Sequence, residues 1–265
     1  MFVMQVERNA LISKRAVAVL LIVYTFLLQC IQAEYCDTRS EDKNTEVNTG
    51  QCIDTNTMAL MVYNENDVLP LHRQERKFNF ASHDIIIKQD WKGLGVAAVV
   101  WDAAEVLACY LESHTEVVHD RSVIELGAGA GLVGMVTALL GGQITITDRE
   151  EVIEYLRSIV EKNVPEESLD RVSIQPLDWT KDLASFSQTF DVILGADIVY
   201  IEEVFEDLLK TLIKLSRKDT LILLSCRIRY DRDTRFLERL KEHFVVEKIL
   251  YSDKMDVNLY KAIKR

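Results

Sequence analysis

Val123-Ile-Glu-Leu-Gly-Ala-Gly-Ala-Gly131 is the segment most informative about the fold, because an apolar run leads there directly into three glycines at alternate positions. Glycine lets the backbone turn sharply and approach a ligand without a Cβ in the way. A helix that begins after such a turn offers free N–H groups to that ligand. Counted from Gly129, the segment also fits Gly-x-Gly-x-x-Gly, so a dinucleotide is an open alternative. The stretch therefore predicts a strand, a turn and a helix that bind a nucleotide-like cofactor.

Segments of strand and helix character alternate on both sides of this stretch. Strands are predicted over 85–87, 122–126, 144–147, 172–175, 190–194 and 220–225, and helices over 101–111, 132–140, 152–160, 204–215 and 235–243. This alternation predicts an α/β fold, with a mostly parallel sheet and helices on both faces. The last two strands, 245–250 and 257–262, are joined by a short polar turn, and such a connection permits only antiparallel pairing. A Rossmann-like seven-strand sheet that ends in an antiparallel hairpin is typical of methyltransferases rather than of most dehydrogenases.

Polar residues stand where the predicted strands end. Asp148 follows the second strand of the core, where a carboxylate can accept the ribose hydroxyls of an adenosine or else cap the next helix. Glu125 precedes the first glycine by two residues, where methyltransferases commonly carry an acid, and its alternative role is to bond loop amides. Asp197 and Tyr200 follow the strand over 190–194, at the edge where open α/β sheets bind ligands, and a helix cap is the alternative for Asp197.

Several motifs together resemble the seven-strand protein N-lysine methyltransferases, in particular those that methylate seventy-kilodalton heat-shock chaperones. The motifs are QDW at 89–91, GVAAVVWDAA at 95–104, ELGAGAGLVG at 125–134, ITDR at 146–149, LDW at 177–179, GADIVY at 195–200 and CRIRYDRD at 226–233. The resemblance covers about residues 58–265. It implies S-adenosylmethionine as cofactor and a protein lysine as methyl acceptor. An in-line methyl transfer requires no metal, and no His/Cys/Asp cluster in the sequence suggests one.

The resemblance also implies a role for individual residues. Asp197 and Tyr200 form the Asp-x-x-Tyr signature beside the methyl group and are the expected catalytic residues. Trp101 packs against the methionine portion of the cofactor, Asp148 holds its ribose and Trp179 flanks its adenine. With the acid before the glycines, the expected cofactor-binding set is Trp101, Glu125, Gly127, Ala128, Gly129, Asp148, Trp179 and Ala196.

Residues 1–57 have a different character from the rest of the chain. Lys14-Arg15 precede an apolar segment over 16–31, and a polar, irregular linker follows it. A secretory signal over 14–33, a membrane anchor and an extension foreign to the catalytic domain are all open. We expect the third, with a catalytic domain over 58–265 in the cytoplasm, because the chain has no Asn-x-Ser/Thr sequon and no cysteine framework. A membrane partner is expected only if segment 16–31 is a real anchor.

Composition narrows the range of partners. The net charge of −11 argues against a nucleic-acid partner, because phosphate binding needs a basic surface. We expect a monomer that acts on a protein. A small-molecule or nucleic-acid methyltransferase, an NAD-dependent oxidoreductase and a non-catalytic chaperone-binding module are the alternatives.

Cys109 and Cys226 lie in apolar runs and are expected to be buried, inert thiols. Arg227, Arg229 and Arg232 are expected either to meet an acidic partner or to form a salt-bridged loop.

Overall fold

The computed structural model describes residues 70–181, 183 and 186–265, and the predicted extension over 1–57, with its apolar segment, lies outside them. The strands are β1 (Glu75–Phe80), β2 (His83–Lys88), β3 (Ser122–Leu126), β4 (Gln143–Asp148), β5 (Val172–Pro176), β6 (Phe190–Ala196), β7 (Ser216–Cys226), β8 (Phe244–Ser252) and β9 (Val257–Lys264). The α-helices are α1 (Trp91–Leu94), α2 (Asp102–Ser113), α3 (Leu132–Leu139), α4 (Glu150–Asn163), α5 (Glu166–Leu169), α6 (Phe205–Leu215) and α7 (Asp231–His243).

Within the described residues, seven strands form one sheet in the order β5-β4-β3-β6-β7-β9-β8. The first five are parallel, whereas β9 runs antiparallel to both β7 and β8. The predicted Rossmann-like sheet with its antiparallel C-terminal hairpin is therefore confirmed. After β3 the chain adds β4 and β5 on one side of that strand. After β6, which pairs with the other side of β3, it adds β7 in the opposite direction. The switch point of this topology, where open α/β sheets bind ligands, lies between β3 and β6.

Apolar residues of the central strands are buried on both faces, which explains their continuous apolar runs. On one face Val123 and Val192 pack with residues of α2, α3 and α4, and on the other Ile124 and Ile193 pack with residues of α6 and α7. The two layers fix the strand ends relative to one another. None of the helices in the described part of the chain is long and apolar enough to cross a membrane alone, although residues 91–98 and 102–113 meet that requirement as a pair bent by 50°.

The strand predicted over 85–87 is confirmed as part of β2, which pairs antiparallel with β1 in a separate two-stranded sheet. Two other predictions need correction. Helix α7 begins at Asp231 and not at 235, because Asp233 accepts the backbone N–H of Tyr230 at 3.1 Å. Cys226 is buried as predicted, but Cys109 is exposed. Its face of α2 also carries Glu105 and Glu112, four and three residues away, whereas the apolar residues of that helix face the sheet.

Candidate active site

The glycine loop brings β3 against two other segments. Gly127 and Gly129 have φ angles of 62° and 54°, in the left-handed region that favours glycine. A Cβ on Gly129 would lie 2.8 Å from the carbonyl oxygen of Ala97, and one on Gly127 would lie 2.9 Å from Cγ2 of Ile198. The loop is therefore packed too closely to accept larger residues, and it touches the chain just beyond Asp197.

Asp148 lies beside this loop, as the sequence predicts. Its carboxylate accepts the backbone N–H groups of Gly129 and Arg149, each at 2.7 Å. Burial raises the pKa of Asp148, and the two N–H groups and the charge of Arg149 oppose that rise. A carboxylate has about four acceptor positions, so this one keeps the capacity to accept hydroxyl groups of a ligand.

Glu125 points toward α3. It is 2% exposed, and a Cβ on Gly134 would lie 2.6 Å from its Oε2. Burial raises the pKa of Glu125 to about 8, while the N–H of Gly134 lowers it and the charge of Asp148 raises it further. The third glycine of the Gly-x-Gly-x-x-Gly pattern thus makes room for a buried acid. A direct contact of Glu125 with the cofactor stays a prediction.

Two tryptophans and an alanine flank the loop. The Trp101 indole donates to the carbonyl oxygen of Val96 at 3.1 Å, which ties its ring to the segment that meets the loop. Ring atoms of Trp179 come within 3.3 and 3.4 Å of the position that a Cβ on Gly127 would take. In the residues described, the buried indole N–H of Trp179 meets no acceptor. Ala196 ends β6 and packs near Ala103 at the start of α2.

Asp197 has an unusual backbone for a residue that is not glycine, with φ at 53°. Its N–H donates to the carbonyl oxygen of Ser225 at 2.8 Å, so β7 holds it in place. The side chain is 9% exposed, and Oδ1 lies 3.5 Å from Nη1 of Arg229. Burial raises the pKa of Asp197, and the charge of Arg229 is the largest effect against that rise.

Tyr200 is close enough to both carboxylates for their charges to act on its phenol. Burial raises the pKa of Tyr200 to about 12, the charge of Arg149 opposes the rise, and the charges of Asp148 and Asp197 add to it. The phenol therefore stays protonated at neutral pH and lies within the field of both acids. The residues predicted from the ends of β4 and β6 are brought together at one edge of the sheet.

The structure also shows a role for the arginines after β7. Arg229 pairs with Asp197, Arg227 lies 3.5 Å from Asp102 and from Asp256, and the guanidinium of Arg232 lies 4.6 Å from the ring centre of Tyr230. Of the two expectations, the salt-bridged loop is confirmed. The proximity of Arg229 to Asp197 could not be read from spacing, because the two residues are 32 positions apart and a helix lies between them. As for metals, the described residues contain no group of three or more His, Cys, Asp or Glu side chains arranged to hold an ion.

The chain is similar to known proteins over most of its length. The family described as "Lysine methyltransferase" matches residues 79–243. The chain is 53% identical over 208 residues to the Protein N-lysine methyltransferase METTL21A of Xenopus tropicalis, which covers 77% of this chain and 96% of that protein. It is 39% identical to the EEF1A lysine methyltransferase 3 of Mus musculus, over 73% of this chain and 84% of that one.

Two solved structures share the fold. A 16S rRNA N2 G1207 methyltransferase (RsmC) of T. thermophilus, in complex with AdoMet and guanosine, superimposes with a TM-score of 0.55 at 17% identity, over 74% of this chain and 52% of that one. The glycopeptide N-methyltransferase MtfA, in complex with S-adenosyl-L-homocysteine, superimposes with a TM-score of 0.51 at 16% identity, over 63% of this chain and 91% of that one. At these identities the likeness concerns the fold alone.

Proposed function

The chain belongs to the lysine methyltransferase family, and we propose that it methylates a lysine of a seventy-kilodalton heat-shock chaperone with S-adenosylmethionine as methyl donor. The class of enzyme, protein-lysine N-methyltransferase, follows from the family. The observation that carries the assignment of the site is the buried Asp197, next to Tyr200 and the glycine loop at the switch point of the sheet.

The residues at this edge fit the cofactor. Asp148 has acceptor capacity left for the two ribose hydroxyls, and its orientation is fixed by two backbone N–H groups. The unpaired indole N–H of Trp179, as far as the described residues show, points to a polar ligand atom beside Gly127. Trp101 offers an aromatic face to a cation. When bound, the cofactor supplies an electrophilic methyl group on a sulfonium ion.

The loop positions complete the proposed set. Gly127, Ala128 and Gly129 lie under the cofactor, and their glycines allow the approach because they carry no Cβ. Ala196 contacts it through the backbone at the end of β6. Glu125 completes the set from its buried position against Gly134 of α3.

The chain's own residues prepare the lysine for attack. A lysine is an ammonium ion near pKa 10.4 in water, and burial in an apolar channel lowers that pKa so that the amine is available. Asp197 accepts a hydrogen bond from the amine and aims its lone pair, and Tyr200 lines the same side. Alignment of the two reacting atoms provides most of the rate in such an in-line displacement.

Several finer points belong to the proposal. The resemblance of QDW, GVAAVVWDAA and CRIRYDRD to the chaperone-methylating enzymes supports the chaperone as substrate. The relative at 53% identity is matched over nearly its whole length, which supports a domain over 58–265. We propose that this domain works as a monomer in the cytoplasm and does not act on nucleic acid, because its chain is acidic.

Labelling of a whole-cell lysate tests the substrate. The purified chain is incubated with radiolabelled S-adenosylmethionine and a lysate, and labelled bands are identified by mass spectrometry. We expect label on a heat-shock chaperone of the seventy-kilodalton class. Label on EEF1A alone would replace the proposed substrate within the same enzyme class. Label confined to nucleic acid or small molecules would contradict the proposal.

A further inference from the structure

We propose that Arg229 is a positioning residue for methyl transfer: its guanidinium keeps the buried Asp197 ionised and aimed at the incoming amine. The inference rests on the proposed function, because it assigns Arg229 a task only if Asp197 receives the lysine. Neither the glycine loop nor the cofactor-binding residues depend on it.

The first support is the geometry of the pair. Nη1 of Arg229 lies 3.5 Å from Oδ1 of Asp197, and the two side chains are 17% and 9% exposed. A carboxylate that is withdrawn from water to this extent is costly unless an opposite charge accompanies it. Solvent and salt screen such a pair much less than they screen a surface ion pair. The contact therefore favours the ionised form of the acid and opposes the effect of burial.

The second support is that Arg229 is itself held in place. Asp233 is 2% exposed, and its Oδ2 accepts the backbone N–H groups of Arg229 at 2.9 Å and of Tyr230 at 3.1 Å. The same residue lies in the first turn of helix α7. Asp233 thus holds the loop after β7 in place, and this loop positions the guanidinium of Arg229 beside Asp197.

The third support is the set of groups around Asp197. Among the described residues, the titratable groups that face it are Tyr200, Cys226, Arg227 and Arg229. Burial raises the pKa of both Tyr200 and Cys226, so these two are neutral at physiological pH. Arg227 divides its guanidinium between Asp102, Asp256 and the carbonyl oxygen of Met255. Arg229 remains the cation that acts most directly on Asp197.

The pair leaves one oxygen of Asp197 short of a hydrogen bond. Oδ1 lies 3.5 Å from Nη1 of Arg229, is closed to solvent, and makes no hydrogen bond of good geometry among the described residues. When the site opens to the lysine, an amine N–H can bond this oxygen. Without Arg229 the pKa of Asp197 rises further, since its main opposing charge is gone. The carboxyl is then protonated at a pH where the wild type is ionised, and it accepts the amine less well.

The test compares the pH dependence of kcat in matched variants. Arg229→Met removes the charge, Arg229→Lys keeps it, and Arg235→Met removes an exposed arginine of α7 that pairs with Glu202. Transfer to the protein substrate is measured at saturating cofactor and substrate over a range of pH. Division of each variant's kcat by that of the wild type cancels the titration of the lysine itself.

We expect Arg229→Met to lower kcat at pH 7 by about tenfold or more and to approach the wild type as the pH rises. Arg229→Lys should restore most of the activity, and Arg235→Met should follow the wild type throughout. In an Asp197→Asn background, loss of Arg229 should change kcat less than about threefold at any pH, because the partner is absent. A ratio that does not change with pH, or a lysine variant as poor as the methionine variant, would overturn the inference.

Two controls separate the possible failures. If the wild type transfers no methyl group to a protein lysine, the proposed function fails before Arg229 is in question. If the wild type is active and the ratio is flat, only the role of Arg229 fails. Calorimetry with S-adenosylhomocysteine shows whether Arg229→Met is folded, and Arg229→Gln replaces it in the same comparison if it is not.

Discussion

Replacement of Glu125 by Gln should change the pH dependence of stability in a defined way. The acid is 2% exposed, and its pKa is raised from 4.5 to about 8 in the folded chain, chiefly by burial. The folded state therefore keeps a proton that the unfolded state releases. The stability that this proton provides is fully present below about pH 4.5 and is lost as the pH rises toward about 8. Glutamine keeps the size of the side chain but does not titrate.

The size of the change in stability follows from the two pKa values of Glu125. Each pH unit between them changes the unfolding free energy by about 1.4 kcal/mol. From about pH 5.5 to about pH 7.5, the wild type should lose about 3 kcal/mol of unfolding free energy relative to Glu125→Gln. For a domain of this size that is a relative change in Tm of roughly 5–10 °C.

Urea unfolding of both proteins at several pH values measures this difference, since all other titrating groups are shared. The two free energies should diverge steadily across the window. Parallel curves would contradict the prediction, because they would mean that Glu125 is ionised in the folded chain and does not lie buried against Gly134.

Three further predictions concern Asp148, Gly129 of the glycine loop, and the domain boundary at residue 58. Asp148→Asn should weaken S-adenosylhomocysteine binding in calorimetry by about tenfold or more, since an uncharged amide replaces the acceptor of the ribose hydroxyls; a Kd within about twofold of wild type would contradict this. Gly129→Ala should lower the unfolding free energy by about 1–3 kcal/mol and impair cofactor binding, because its Cβ meets the backbone of Ala97. Gly131→Ala, with φ at 75° and a contact at the movable end of Leu156, should be milder, and the reverse order would count against the argument. The fragment 58–265 should melt at the same temperature as any soluble longer form in saturating S-adenosylhomocysteine, and a misfolded fragment would disprove the proposed boundary.

The central sheet could be predicted from the sequence because burial imposes a clear pattern on it. Strands β3 and β6 are covered on both faces, so they are continuous apolar runs bounded by turn residues. The antiparallel end of the sheet followed from the length of one turn. Strand β1 could not be predicted in this way, because Glu75–Phe80 is mostly polar and gains its structure from pairing with β2.

The members of the candidate site that are polar residues at strand ends could be predicted from the sequence. Asp148 and Asp197 were found by position alone, and the structure brings both near Tyr200. The support of Asp197 by Arg229, and of Arg229 by Asp233, depends on contacts between separate segments that spacing does not encode. The exposure of Cys109 shows the same limit, since an apolar run in a helix does not say which face each member takes.

Mass spectrometry of a purified seventy-kilodalton heat-shock chaperone, incubated with this chain and S-adenosylmethionine, tests the proposed substrate and site together. We expect that one lysine gains methyl groups with the wild type, and that Asp197→Ala abolishes the gain while S-adenosylhomocysteine still binds. An unmodified chaperone after treatment with the wild type would contradict the proposed substrate. Turnover by Asp197→Ala within about threefold of wild type would contradict the proposed site, because a group that positions the amine should cost far more when removed.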